Sequence, residues 1–408
     1  MNRFGHHLAL SALLACLLSA SDARAQSLEY NVYNRWLPWK GLHVENLGPA
    51  VEFARIYSVW DSAQWAFDPV GTGTFQIRNR WTGQTLHLDG ATGELEYGYG
   101  SHTTGVWALE NVGRHVRLRN ESTGDYVHVQ GNPSYARAGF AYASWRSAQW
   151  RLLRRCNLPF AAGRTSVTLD IDGVDRRFVV YVPSGYDGTE GLPMTFLNHG
   201  TGYNPEGFLS STGAEADADA RDVIIVALAG YQAAWNTPHD PAKPDDMVFA
   251  EAALDWATEN LCVDPHRVFA AGFSGGARTA SRMACTLDGR IRGLAAVAGV
   301  RHDSPCEPTP LGVLAIHGTG DTTNPYAGGN STRWGESVED AVADWVDTDG
   351  CSTSPAVSTP SANLEVRDWN SGCENESRVQ LQVVSGGGHT WNLLPDTSAT
   401  VLDFFLSL

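Results

Sequence analysis

Apolar and polar positions along the first 155 residues return in register three times. When Asn34-Arg35-Trp36, Asn79-Arg80-Trp81 and Asn120-Glu121-Ser122 are aligned, each Asn is followed 8 or 9 positions later by a His between apolar residues: Leu42-His43-Val44, Leu86-His87-Leu88 and Val127-His128-Val129. The units close on Gln64-Trp65, Val106-Trp107 and Gln149-Trp150, so successive closing Trp lie 42 and 43 residues apart. A fixed period of that length marks a repeat architecture, in which no single unit can bury its apolar face alone. Within a unit, alternation of period two is broken by turn residues such as Thr-Gly at 82–83 and 123–124. This predicts short strands and no long helix.

Four strands in each of three units give twelve, the arithmetic of a β-trefoil. An open sheet of that size would leave edges unprotected. The segment resembles a ricin-type β-trefoil lectin domain, in which each unit ends on a Gln/Trp signature. Here two units carry Gln-Trp and one Val-Trp, where the family usually has Gln-x-Trp. The resemblance implies a carbohydrate-binding domain over residues 26–155. The closing Trp read as core filling, since large apolar residues at matched positions fill a threefold core. Trp36, Trp39 and Trp81, which lie near turns, are the candidate platforms for stacking on a sugar. His43, His87 and His128 are open to two readings, as structural hydrogen-bonding residues or as part of a sugar pocket.

From Cys156 the pattern changes. Segments at 178–183, 194–198 and 223–227 read as buried strands and alternate with helical stretches and Gly/Pro turns. Strand alternating with helix predicts a mostly parallel sheet covered on both faces, an α/β domain over 156–408. Val268–Gly272 is a further short strand that leads into Gly272-Phe273-Ser274-Gly275-Gly276 and then a helix through Met283. A G-x-S-x-G between strand and helix places a serine hydroxyl on a sharp turn at a helix N-terminus, where small neighbours are needed and developing negative charge is favoured.

A serine hydroxyl needs a base, and the base needs a carboxylate to orient it. Downstream, Leu311–Ile316 leads into His317-Gly318-Thr319-Gly320-Asp321, and Val379–Val384 into Gly386-Gly387-Gly388-His389. Both loops follow strands, so Asp321 and His389 are expected on the same carboxyl edge of the sheet as Ser274. Asp340, Asp344 and Asp347 read instead as the solvated face of an amphipathic helix, and His317 and His302 as structural. Oxyanion donors are expected from the backbone of Gly275 and of Thr201, in His199-Gly200-Thr201-Gly202.

These residues carry a second resemblance. Residues 156–408 are similar to secreted esterases of the feruloyl esterase, acetylxylan esterase and polyhydroxybutyrate depolymerase group. The similarity rests on Tyr181-Val182-Pro183-x-Gly185-Tyr186, His199-Gly200, Trp235-Asn236, Asp245-Asp246-x-x-Phe249, Val263-Asp264-x-x-Arg267-Val268, the serine turn, His317-Gly318-Thr319-x-Asp321 and Gly388-His389-Thr390-Trp391. It implies an α/β-hydrolase fold and a substrate pocket bordered by Trp235 and Trp391. Two departures are Asn392, where Pro is common, and Gly275, where Asn or His is frequent. The expected activity is ester hydrolysis through an acyl-enzyme on a polysaccharide, without metal or organic cofactor. A polyester depolymerase, or a lectin with an inactive hydrolase scaffold, are the competing readings.

Composition narrows the setting. The 408 residues suit two domains, and 43% hydrophobic with 18% charged residues is a globular balance. Of the net charge of −16, residues 26–155 carry 13 Lys+Arg against 11 Asp+Glu, and residues 156–408 carry 14 against 33. So acidic a half is a poor partner for nucleic acid or an anionic bilayer. Residues 1–25 read as a signal peptide, with an apolar run Leu8–Ala20 and an Ala23-Arg24-Ala25 cleavage site, giving a secreted chain expected to act as a monomer. The run is shorter than the ~20 residues a bilayer demands. A lipoprotein signal at Leu13-Leu14-Ala15-Cys16, anchoring the chain at Cys16, is the rival. The remaining six Cys, with no C-x-x-C zinc spacing, are expected as disulfides, and local spacing suggests Cys285–Cys306, Cys351–Cys373 and therefore Cys156–Cys262.

Overall fold

The computed structural model describes residues 28–408 apart from 38–39, 46–47, 57–59, 72, 90–91, 101, 113–114, 132–133, 155, 157, 288, 303–305, 307–309, 330 and 332. The expected signal peptide, Cys16 and Trp39 therefore lie outside the described residues. The chain divides into two units, residues 1–157 with 189–191, and residues 158–188 with 192–408. Among the described residues no helix is long and apolar enough to cross a membrane.

Among its described residues the first unit holds twelve strands: Leu28–Asn34 (β1), Lys40–His43 (β2), Glu52–Arg55 (β3), Gln64–Gly71 (β4), Thr74–Asn79 (β5), Thr85–Leu88 (β6), Leu95–Gly98 (β7), Trp107–Val112 (β8), His115–Asn120 (β9), Tyr126–His128 (β10), Arg137–Gly139 (β11) and Trp150–Arg154 (β12). Six of them close a ring by antiparallel pairing, in the order β1, β4, β5, β8, β9, β12 and back to β1. The other six form three hairpins, β2–β3, β6–β7 and β10–β11. Closing the ring leaves no unpaired edge among its strands.

The threefold sequence signature is a threefold hydrogen-bond device. Asn34, Asn79 and Asn120 each accept two backbone N–H bonds, from the residues two and three positions on, at 3.0–3.2 Å. Their side-chain amides donate across the unit to the carbonyls of Ser147, Ser62 and Thr104 at 2.7–2.9 Å. Trp65, Trp107 and Trp150 are fully buried, and each indole N–H donates to a carbonyl beside a repeated His, those of Leu42, Leu86 and Val127, at 2.8–3.0 Å. The closing Trp are thus core residues. They fill the ring with Tyr30, Phe53, Phe67 and Phe75, and their polar edge is satisfied, as burial requires.

The second unit is one sheet of ten strands: Gly163–Ile171 (β13), Val174–Val182 (β14), Leu192–Asn198 (β15), Ile224–Leu228 (β16), Val263–Phe273 (β17), Gly293–Val297 (β18), Gly312–Gly318 (β19), Ala356–Ser361 (β20), Leu364–Trp369 (β21) and Val379–Val384 (β22). Their order is β13-β14-β16-β15-β17-β18-β19-β22-β21-β20. The six central strands, β16 to β22, pair in parallel. Antiparallel pairing extends the sheet at both ends, where β13, β20 and β21 carry no continuous apolar run because they are exposed or half-buried. Four of the helices begin on side-chain caps: Asn204, Asp245, Ser337 and Asp396 each accept an N–H from the first turn.

Among the described residues two disulfides are formed, Cys285–Cys306 and Cys351–Cys373. The third expected bridge, Cys156–Cys262, is not among them. Both residues are buried, and the Cys262 thiol instead donates to the carbonyl of Gly188 at 2.8 Å.

Asp349, beside the second disulfide, is fully buried and accepts the N–H of Leu311 at 3.2 Å through one oxygen only. Burial pushes its carboxyl up to about 7, against the partial opposition of that bond and of Arg292. The unfolded chain ionises this group near pH 4, so its contribution to stability falls as pH rises from about 4 to about 7. In denaturant melts, Asp349→Asn is expected to match the wild type at pH 4.5. At pH 8 it should be more stable by about 1–3 kcal/mol. An unchanged difference across that range would contradict the assignment.

Candidate active site

Strands β17, β19 and β22 all end on one edge of the sheet, and the three loops leaving them carry Ser274, Asp321 and His389. Ser274 lies directly after β17 with φ 54° and ψ −113°, a conformation that a residue with a Cβ rarely adopts. Two glycines make it possible. A Cβ on Gly272 would run into the backbone of Gly276, and one on Gly276 into the carbonyls of Asn198 and His199. The helix Gly275–Thr286 therefore presses on the sheet backbone to backbone. The residue that precedes it, Ser274, makes no side-chain capping bond, which leaves the hydroxyl available to another partner.

That partner is His389, whose Nε2 lies 2.9 Å from Ser274 Oγ. Its Nδ1 lies 2.7 Å from Asp321 Oδ2, so the three side chains form one hydrogen-bonded line. Asp321 Oδ1 accepts the backbone N–H of Thr323 and of Asn324, both at 2.8 Å, which fixes the carboxylate. His317, expected as structural, reaches the same carboxylate from behind. Its Nε2 donates to the carbonyl of Asn324 at 2.9 Å and lies 3.4 Å from Asp321 Oδ2. Burial alone would raise the Asp321 carboxyl, but the bonds from His317, His389 and the Asn324 backbone hold it down at about 2. It is a fixed anion at neutral pH, suited to orienting and stabilising an imidazolium.

The loop after β15 brings Thr201 against Gly275. A Cβ on Gly275 would collide with Thr201 Oγ1 and sit 3.4 Å from Thr201 N. The threonine hydroxyl occupies the space that a side chain at position 275 would need. The loop is clamped by His199, whose Nε2 accepts the N–H of Gly230 at 3.1 Å, and by Trp235, whose indole donates to His199 O at 2.7 Å. Trp235 is buried against Gly275, within reach of the serine turn. Trp391 lies elsewhere: its ring packs edge-on against Phe208 in the core, and its indole donates to Ser398.

The Trp235-Asn236 and Asp245-Asp246 motifs meet in one brace. Asp246 accepts the N–H of Asn236 at 2.6 Å and a buried bond from Arg176 at 2.7 Å, while Arg282, on the serine helix, donates to Asn236 O at 2.9 Å. Sequence reasoning missed Arg176 and Arg282; the buried acidic motif, which requires a cation, was the available signal.

In the first unit, Trp36 is 43% and Trp81 51% exposed. Trp81 lines a cavity of about 440 Å³ together with Gln84, Tyr97 and Tyr99. A second exposed aromatic group was not foreseen: Phe140, Tyr142 and Trp145 contact one another in series, with centroids 4.9 and 5.6 Å apart. Aromatic residues two and five apart in a loop carry no periodic signal, so only folding brings them together.

No family model matches the chain. Among curated proteins it is 30% identical over 227 residues to the putative esterase NocK of Nocardia uniformis subsp. tsuyamanensis, covering 50% of this chain and 66% of that one. It is 29% identical over 231 residues to feruloyl esterase B of Piromyces equi, covering 52% of this chain and 42% of that one. The chain thus spans less than two thirds of either relative. Among solved structures, the acetyl xylan esterase from Aspergillus awamori aligns over 60% of this chain and 100% of its own, at 15% identity and a TM-score of 0.47.

The packing of the serine turn yields a prediction. Gly276→Ala should destabilise the chain by about 1–3 kcal/mol in chemical denaturation, because the added methyl meets backbone that cannot rotate away. Gly388→Ala, where a Cβ meets nothing within 4 Å, should cost far less. Equal costs at the two sites would contradict the packing described.

Proposed function

We propose that the chain is a secreted serine esterase, cleaving feruloyl or acetyl esters on plant polysaccharide through an acyl-enzyme. The observation that carries this reading is the hydrogen-bonded line from Asp321 through His389 to Ser274, on a serine turn whose hydroxyl is spared from capping. In this reading the second unit is an α/β-hydrolase and residues 26–155 are a ricin-type β-trefoil that grips the polymer, with Trp36, Trp81 and the Phe140–Tyr142–Trp145 series as its sugar-facing rings. The similarity to a feruloyl esterase of Piromyces equi supports the substrate class.

Catalysis follows from the chemistry of the three side chains. Ser274 Oγ attacks the ester carbonyl as His389 Nε2 takes its proton, and Asp321 stabilises the resulting imidazolium. The negative charge that develops on the carbonyl oxygen is met by the backbone N–H groups of Gly275 and Thr201. The imidazolium then protonates the leaving alcohol, and the acyl group stays on Ser274. Water, deprotonated by the same imidazole, attacks the acyl-enzyme; the carboxylic acid leaves and Ser274 recovers its proton. None of these steps calls for a metal or an organic cofactor.

Hydrolysis of p-nitrophenyl acetate should fall by about four orders of magnitude in Ser274→Ala with the fold unchanged. Equal rates in both proteins would overturn the enzymatic reading and favour a lectin on an inactive scaffold. Methyl ferulate and esterified xylan should be hydrolysed in preference to polyhydroxybutyrate granules. Clearing of granules with no release of ferulate or acetate would reassign the enzyme as a polyester depolymerase.

A further inference from the structure

The three repeats of the first unit place a cross-strand pair at the same point of each hairpin: His43 opposite Glu52, His87 opposite Glu96, and His128 opposite Arg137. Two residues beyond each His stand Glu45, Asp89 and Gln130. Three equivalent sites of different chemistry give an internal comparison.

In the second repeat the polar groups are committed. His87 Nδ1 donates to the carbonyl of Thr85 at 3.1 Å, its ring stacks on His102 at 3.6 Å, and Asp89 accepts both the N–H and the hydroxyl of Thr92. In the third repeat Arg137 brings a positive charge to the position of the glutamate, which repels any cation. The first repeat differs from both. His43 is 1% exposed, and among the described residues neither of its ring nitrogens has a hydrogen-bond partner. Its Nδ1 faces Glu52 Oε2 across 3.8 Å, too far for a hydrogen bond. Ligand atoms of His43, Glu45 and Glu52 all lie within 4.8 Å of one another. Glu52 is buried and accepts the backbone N–H of Glu45, whose side chain is exposed to solvent.

A buried imidazole with no partner is costly. An ion that bonds to imidazole nitrogen and carboxylate oxygen at about 2.0–2.2 Å would satisfy it, together with the two acids. One nitrogen and two carboxylates leave room for water as a fourth ligand, and this mixed donor set suits a borderline ion such as Zn²⁺ better than Ca²⁺, which takes oxygen alone. We propose that His43, Glu45 and Glu52 form a Zn²⁺-type site in the first repeat, which ties the loop after β2 to β3 and is absent from the other two repeats.

The test is calorimetric titration of Zn²⁺ into the full mature chain, made without a histidine tag and stripped with chelator. One equivalent should bind with Kd on the order of 1–10 µM. Glu45→Gln, an exposed change that leaves the metal-free melting temperature unaltered, should weaken binding at least about tenfold and abolish the rise in melting temperature that Zn²⁺ gives the wild type. His43→Gln should do the same, and His87→Gln should do neither. Absence of binding at 1 mM Zn²⁺, or binding that Glu45→Gln and His43→Gln both leave intact, would overturn the site. Tighter binding of Ca²⁺ than of Zn²⁺ would overturn the class of ion.

Discussion

The close approach of helix to sheet at Gly272 and Gly276 is the constraint on which the candidate site depends. With side chains at either position the serine helix would stand away from β15 and β17, and Ser274 would relax out of its positive-φ conformation. The hydroxyl would then sink toward its own helix N-terminus, where serine ordinarily caps. Backbone contact thus holds the serine strained, exposed to His389 and adjacent to the N–H groups of the turn. The strain is balanced by a well-packed sheet, since β16, β18, β19 and β22 are buried along their whole length.

Around that point the supporting groups are layered. Asp321 is held by two backbone N–H donors and two histidines, and the second of these, His317, stacks on Trp334, over whose ring the Arg301 guanidinium lies at 3.9 Å. A carboxylate so fixed costs little reorganisation when charge develops on its imidazole partner. On the other side, Thr201 meets Gly275 through a loop pinned by His199 and Trp235, and the Arg176–Asp246–Asn236 brace holds Trp235 in place. The serine helix joins the same brace through Arg282.

Much of this was legible in the residues because it is written locally. The threefold period, the strand–turn–helix around Ser274 and the loops carrying Asp321 and His389 follow from short-range pattern and from which edge of a parallel sheet a loop leaves. What escaped depends on contacts between distant segments. The exposed hairpin strands β13, β20 and β21 bury no continuous apolar run to betray them. His317 at a strand end read as structural, since nothing in its neighbourhood along the chain shows that it meets the acid four residues on. Trp391 follows the candidate base directly, yet its side chain turns into the core toward Phe208, a residue 183 positions earlier. Cysteine spacing identified the two bridges that close short loops, whereas the pairing assigned by elimination is not among the bridges of the described residues.

Activation of Ser274 by His389 is tested by covalent labelling with a fluorophosphonate, followed by mass spectrometry of the digested chain. A single phosphonylated serine, Ser274, is expected in the wild type, with labelling strongly slowed in His389→Ala although that variant remains folded. Labelling at a different serine, or labelling of Ser274 at the same rate without the imidazole, would contradict it.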